Sequence, residues 1–124
     1  MNRDYRLFIK DIMEAIEDIE AFIGEMDFDS FHADKKTRSA VVWKLEVIGE
    51  ATKNIPASLR SKYKELPWKD MAGMRDKISH FYFGIDYKIV WGVFKKKLPT
   101  IKPVIQKMLD ELKTDEDIGN LNVA

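Results

Sequence analysis

The sequence contains no cysteine. This absence excludes disulfide bonds, thiolate zinc sites and cysteine nucleophiles, and it is consistent with a reducing cytoplasm. No apolar run approaches the roughly 20 residues that a membrane-spanning helix needs. The charged N-terminal segment also lacks the apolar stretch of a signal peptide. The sequence therefore predicts a cytoplasmic protein without a membrane anchor.

Net charge is absent as well, because 21 Lys and Arg residues balance 21 Asp and Glu residues. Proteins that grip long stretches of duplex phosphates are usually basic, so any contact with nucleic acid must be local. Histidine is scarce, with two in the chain. A metal site made by His32 with Asp27, Asp29 and Asp34 is disfavoured, because these residues lack a ligand spacing. We expect no metal and no cofactor.

The sequence does contain long apolar stripes at helical spacing. Its 124 residues are 45% hydrophobic and 34% charged, which is typical of one folded domain. No sustained alternation of apolar and polar residues predicts a strand. We therefore predict an all-α fold, an antiparallel four-helix bundle with a short extra helix. The helical domain should span residues 1–113, followed by a polar, frayed tail over residues 114–124.

Turn and cap signals divide this pattern into segments. We expect a second helix to begin at an Asp34 or Thr37 cap and to end before Pro56, and a final segment to begin at an Asp86 cap. Pro99 should kink that segment or split it in two. Gly49 suggests a close approach of another helix. The remaining predicted segments are a first helix over residues 3–26, a loop or single turn over 27–34, a short helix over 56–63 and a helical stripe from Met71 to Phe81.

A polar trio near the end of that stripe carries the candidate chemistry: Arg75, His80 and Tyr82. Histidine exchanges protons near neutral pH, and arginine suits the planar geometry of a phosphate. The two together suit RNA transphosphorylation. Five residues correspond to about 140° of helix rotation, so Arg75 and His80 would not share one face of a regular helix. Either the helix ends before His80, or a second copy of the chain helps to assemble the site. A histidine with a structural role and a surface Arg75–Asp76 ion pair remain the alternatives.

The spacing Arg75-x4-His80-x-Tyr82 resembles the Arg-x4-His-x-Tyr motif of the HepT-like toxins, within the HEPN superfamily. The resemblance covers most of the chain, because the flanking motifs agree in order and distance. These are Ile48-Gly49-Glu50-Ala51 with Lys53-Asn54-Ile55-Pro56, Pro67-Trp68, Ala72-Gly73-Met74-Arg75-Asp76, Tyr82-Phe83-Gly84-Ile85-Asp86 and Val90-Trp91.

The resemblance implies an all-helical, two-fold homodimer whose paired motifs act as a metal-independent endoribonuclease on RNA. It also implies a toxin–antitoxin module in which a small nucleotidyltransferase silences the toxin by AMP transfer. Carried over, Arg75 and His80 would be catalytic and Tyr82 would be modified. Asp76, Ser79 and Glu50 are candidate supporting residues.

Two alternatives stay open. The same dimer could be non-catalytic and bind a nucleotide or the nucleotidyltransferase partner, since fold alone does not decide function. The run Lys95-Lys96-Lys97 could steer RNA, although a solvated helix face is favoured because consecutive residues point in different directions. Core or interface positions are likewise favoured over base stacking for the three tryptophans, Trp43, Trp68 and Trp91.

Overall fold

The computed structural model describes residues 4–80 and 84–123, without the side chains of His80 and of residues 113–123. The predicted all-α class is confirmed. The helices are α1 (Tyr5–Ile23), α2 (Phe28–Ala33), α3 (Lys35–Lys53), α4 (Ala57–Lys62), α5 (Trp68–Ala72), α6 (Met74–Ile78), α7 (Tyr87–Gly92) and α8 (Leu98–Val123), with a π-helical segment, Val93–Lys97, between the last two.

The long helices α1, α3 and α8 form the frame of the fold. Helix α1 packs against both α3 and α8, and α5 and α6 also pack against α3. The buried stripe of α1 follows from its apolar spacing of three and four, and its fully buried isoleucines each stabilise the fold by about 1.5–3 kcal/mol. These are Ile9, Ile12, Ile16 and Ile19. The bundle thus consists of three long helices, and the short helices α5 and α6 complete it beside α3.

Helix α3 begins where a cap was predicted. The Asp34 carboxylate accepts hydrogen bonds from the backbone N–H of Thr37, at 3.1 Å, and from its hydroxyl, at 2.9 Å. These bonds satisfy an N–H group that the first turn of a helix leaves without an intrahelical partner. Residues 27–34, predicted as a loop or single turn, contain the six-residue helix α2, in which Phe31 is fully buried.

Gly49 lies at a close approach between helices, as predicted. A Cβ atom added there would lie 3.4 Å from the Met71 carbonyl oxygen, 3.5 Å from the Ala72 carbonyl oxygen and 3.7 Å from the Met74 Cβ. The absent side chain therefore allows the backbone of α5 to pack directly on α3.

The expectation that the chain has no strands is wrong at one place. Two-residue strands, β1 (Ser79–His80) and β2 (Gly84–Ile85), form an antiparallel ladder with Ser79 opposite Ile85 and His80 opposite Gly84. Gly84 has φ +76°, a conformation that glycine adopts without steric cost. Two residues are too few to show alternation, so the sequence pattern carries no signal for them.

The final segment begins at the predicted Asp86 cap and is irregular where Pro99 predicted a disturbance. The π-helical segment ends at Lys97, immediately before α8. A wider π turn accommodates the ring and the missing N–H of a proline in the following turn. The backbone continues as helix to Val123. The division into domain and tail stays a prediction.

Within the described ranges, no helix is both long enough and apolar enough to cross a bilayer.

Candidate active site

The candidate catalytic motif spans the end of α6 and the strand that follows it. Ser79 has φ −101° and ψ 137°, an extended conformation, and its N–H donates to the Arg75 carbonyl oxygen. The helix therefore ends at Ile78, before His80. The first of the two alternatives given above, that the helix ends before His80, is therefore confirmed. Arg75 is helical, and His80 lies in β1.

Apolar anchors hold this segment and turn its polar residues outward. Met74 is 3% exposed and Ile78 is fully buried, whereas Arg75 and Asp76 between them are exposed. Ser79 is half-buried. Because Met74 and Ile78 point into the core, the guanidinium of Arg75 and the carboxylate of Asp76 lie on the surface beside β1.

The base of the hairpin is fixed by Asp86. Its N–H donates to the Ile78 carbonyl oxygen at 2.8 Å, and its carboxylate caps α7 by accepting from the N–H groups of Lys88, at 3.0 Å, and Ile89, at 3.3 Å. One residue therefore joins the end of α6 to the start of α7. Residues 81–83, which include the predicted modification site Tyr82, lie outside the described residues.

Glu50 lies on α3, next to Gly49. Its carboxylate is exposed and forms an ion pair with Lys53 at 3.2 Å. It also lines a groove of about 310 Å³ between α1 and α3, together with Phe8, Trp43 and Val47. Its supporting role at the site stays a prediction.

A cluster that the sequence pattern did not indicate lies beside the hairpin. The Arg38 guanidinium carbon is 4.8 Å from the centroid of the Tyr87 ring, and Arg38 Nη1 donates to the His32 carbonyl oxygen at 2.8 Å. The His32 ring stacks on Phe28 with centroids 5.5 Å apart. The contact between Arg38 and Tyr87 joins residues 49 positions apart in the sequence, so helical periodicity could not reveal it.

The aspartates near His32 have structural roles. A backbone hydrogen bond from Ser30 to Asp27 lowers the pKa of that carboxyl, and a backbone hydrogen bond from Thr37 lowers the pKa of Asp34. Both carboxylates are helix N-caps. Across the described ranges, no group of three His, Cys, Asp or Glu side chains is arranged to hold a metal ion.

The remaining candidates divide between surface and core. The three lysines from Lys95 to Lys97 are exposed, and Lys95 Nζ lies 5.6 Å from the Trp91 ring centroid. Trp68 is 9% exposed and belongs to the core, as favoured, whereas Trp43 is 62% exposed. Trp91 packs against Phe28 and Phe31. A core position is therefore wrong for Trp43, and an interface role for it stays a prediction.

The helical bundle and the Arg75-x4-His80 spacing at the end of α6 match the fold and the motif that the resemblance to the HEPN superfamily implies. Residues 12–108 match the family described as "Ribonuclease HepT-like". The chain therefore belongs to the HepT-like ribonuclease family, and its class of activity is that of an endoribonuclease.

Curated relatives agree with this assignment over almost their whole length. "Probable ribonuclease HepT" from Thermococcus cleftensis is 45% identical over 108 residues, which is 87% of this chain and 98% of that protein. "Putative RNase MJ0127" from Methanocaldococcus jannaschii is 44% identical over 115 residues, 93% of this chain and 95% of that protein. "Putative RNase TTE0752" from Caldanaerobacter subterraneus is 36% identical over 108 residues, 87% of this chain and 96% of that protein. No solved structure matches the chain significantly.

Proposed function

We propose that this endoribonuclease is the toxin of a toxin–antitoxin module and that it cleaves RNA without a metal ion, using Arg75 and His80. The observation that carries the proposal is the Arg75-x4-His80 spacing at a helix-to-strand junction in a chain of the HepT-like ribonuclease family. The exposure of Arg75 supports it, because a substrate phosphate must reach the guanidinium. We place the reaction in the cytoplasm.

The two side chains supply the parts that transphosphorylation needs. His80 takes the proton of the RNA 2′-hydroxyl, whose oxygen then attacks the adjacent phosphorus. The bond to the 5′ oxygen breaks, and the leaving oxygen takes a proton from water. Arg75 donates to the phosphate oxygens, where negative charge increases in the transition state. The products are a 2′,3′-cyclic phosphate and a 5′-hydroxyl. Asp76 and Ser79 are proposed to orient these groups.

The active form in this proposal is a two-fold homodimer whose paired motifs share one cleft. A shared cleft explains how a chain with zero net charge binds a polyanion, because two motif arginines double the local positive charge. It also relieves the need for Arg75 and His80 of one chain to meet on the same phosphate.

The proposed switch is AMP transfer to Tyr82 by a nucleotidyltransferase antitoxin. An AMP group two residues from His80 would add bulk and negative charge, and it would oppose the substrate phosphate. Co-expression with the nucleotidyltransferase should add one or more AMP masses to the intact chain, and Tyr82→Phe should prevent the addition. Full modification of Tyr82→Phe would place the site elsewhere.

The test of catalysis uses purified Arg75→Ala and His80→Ala in an RNA-cleavage assay with EDTA, with Lys107→Gln as a control for loss of one exposed positive charge. Both alanine variants should lose cleavage by about 100-fold or more, while Lys107→Gln keeps it. Undiminished cleavage by both alanine variants would refute the assignment. RNA or partner binding by the wild type without any cleavage would instead favour a non-catalytic binding dimer.

Mixing the two inactive variants tests the shared cleft. If each reacting centre takes Arg75 from one chain and His80 from the other, a mixed dimer regains one intact centre of its two. Random mixing should then restore about a quarter of wild-type activity. A mixture that stays inactive, although subunit exchange is demonstrated, would contradict centres composed from both chains.

A further inference from the structure

A positively charged cluster beside the hairpin has no assigned role. It joins the end of α2, the first turn of α3 and the first residue of α7. Arg38 is its centre: the guanidinium lies over the Tyr87 ring at 4.8 Å, and Nη1 donates to the His32 carbonyl oxygen at 2.8 Å. The His32 and Tyr87 rings meet edge to face, with centroids 6.1 Å apart. The guanidinium is therefore held in place by groups that carry no negative charge.

No carboxylate neutralises Arg38 among the residues that the structure describes. Asp34 lies four positions before it, but both hydrogen bonds of that carboxylate described above come from Thr37. Arg38 Nε is buried and has no acceptor within the described ranges. Lys35 and Lys36 are exposed in the same first turn of α3 and add to the positive charge. A fixed arginine without a counter-ion suits a ligand that brings its own negative charge, because the planar guanidinium binds phosphate oxygens in pairs.

The cluster lies next to the segment that carries the motif. Tyr87 directly follows Asp86, whose N–H donates to the Ile78 carbonyl oxygen at 2.8 Å. Ile78 ends the helix that carries Arg75, and β1 with His80 begins one residue later. The cluster is thus joined to the reacting segment by this hydrogen bond and by the ladder of β1 and β2. A strand of RNA bound across that segment would have a neighbouring phosphate close to it.

We propose that Arg38, positioned by Tyr87, binds a phosphate of the single-stranded RNA that flanks the bond to be cut. This inference rests on the proposed ribonuclease function and deepens it by naming a substrate-binding residue outside the motif. Arg38 acts on substrate binding, and the Tyr87 ring fixes the orientation of its guanidinium through a cation–π contact.

The test measures RNA affinity and its salt dependence. A short labelled single-stranded RNA is titrated with each variant in a His80→Ala background, which prevents cleavage, between about 50 and about 200 mM salt. Arg38→Gln should weaken binding roughly ten-fold, since it removes a hydrogen bond between charged groups. It should also reduce the slope of log affinity against log salt by about 0.7, the contribution of one phosphate contact on a single strand. Lys107→Gln, the same charge change on α8, should move neither quantity.

Two conservative variants separate binding from folding. Arg38→Lys keeps the charge and should retain the wild-type salt slope while losing part of the affinity, because lysine lacks the planar fork. Tyr87→Phe keeps the ring and should behave as the wild type, whereas Tyr87→Leu should weaken binding. In the catalytically competent background, Arg38→Gln should raise KM with kcat unchanged, which a general structural defect would not do.

Wild-type KM and salt slope in Arg38→Gln would overturn the proposal, and so would equal effects of Arg38→Gln and Lys107→Gln. In both cases the wild-type protein still cleaves RNA, so the proposed function stands. A wild-type protein that neither binds nor cleaves RNA would overturn the proposed function and this inference with it.

Discussion

The close packing at Gly49 predicts that a larger side chain there destabilises the fold. Gly49→Leu would place a branched side chain where the Met71 carbonyl oxygen is 3.4 Å and the Met74 Cβ is 3.7 Å from the added Cβ alone. The next carbon atoms would overlap the backbone of α5, which cannot rotate away as a flexible side chain can. Inserting extra carbon atoms into a packed core costs about 1–3 kcal/mol. We expect a loss of unfolding free energy in this range.

Alanine variants at two glycines provide reference values for the change in stability. Gly92 is helical, and a Cβ added there meets nothing within 4 Å. Gly92→Ala should therefore stabilise the protein by up to about 1 kcal/mol through helix propensity alone. Gly49→Ala gains the same propensity but brings its Cβ to 3.4 Å from a carbonyl oxygen, so its net effect should be smaller than that of Gly92→Ala.

Urea unfolding followed by circular dichroism measures all three variants. The order of stability should be Gly92→Ala, then Gly49→Ala, then Gly49→Leu. In the RNA-cleavage assay, Gly49→Leu should also lower kcat, because displacement of Met74 moves the adjacent Arg75. A Gly49→Leu protein as stable as the wild type would refute the close approach of α3 and α5.

Two further predictions concern helix caps. Asp86→Ala removes the acceptor of two hydrogen bonds and should lower the free energy of unfolding in urea by about 1 kcal/mol. Asp86→Asn can still cap the helix and should lower it less. Equal losses in both variants would contradict the capping role. Hydrogen bonding lowers the pKa of Asp34 in the folded state, so its contribution to stability is present above the unfolded pKa near 3.9 and is lost as pH falls through the folded pKa. Asp34→Asn should therefore reduce the drop in urea midpoint below about pH 4, and an unchanged drop would argue against this contribution.

Much of the scaffold could be predicted because its signals are local. Apolar spacing located α1 and α3, and the caps at Asp34 and Asp86 are short-range hydrogen bonds that the residue type indicates. Gly49 was informative because helix interiors rarely contain glycine without a reason. The ladder of β1 and β2 could not be predicted, since two residues show no periodicity and the pairing depends on the conformation of Gly84.

The candidate site was predicted less completely. The motif was recognised through its resemblance to a family, and the structure added that Arg75 and His80 lie in different elements. Arg38 could not be found from the sequence pattern, because its contact with Tyr87 joins α3 to α7, which are far apart in the sequence. The proposed dimer partner and its contribution to the proposed cleft also lie outside what the periodicity of one chain encodes.

The ends of the RNA products, formed in EDTA and identified by mass spectrometry, test the central claim most directly. Wild-type protein should give 2′,3′-cyclic phosphate and 5′-hydroxyl ends, and His80→Ala should give none above background. Loss of wild-type cleavage in EDTA, or ends that carry a 3′-hydroxyl and a 5′-phosphate, would contradict metal-independent transphosphorylation through Arg75 and His80.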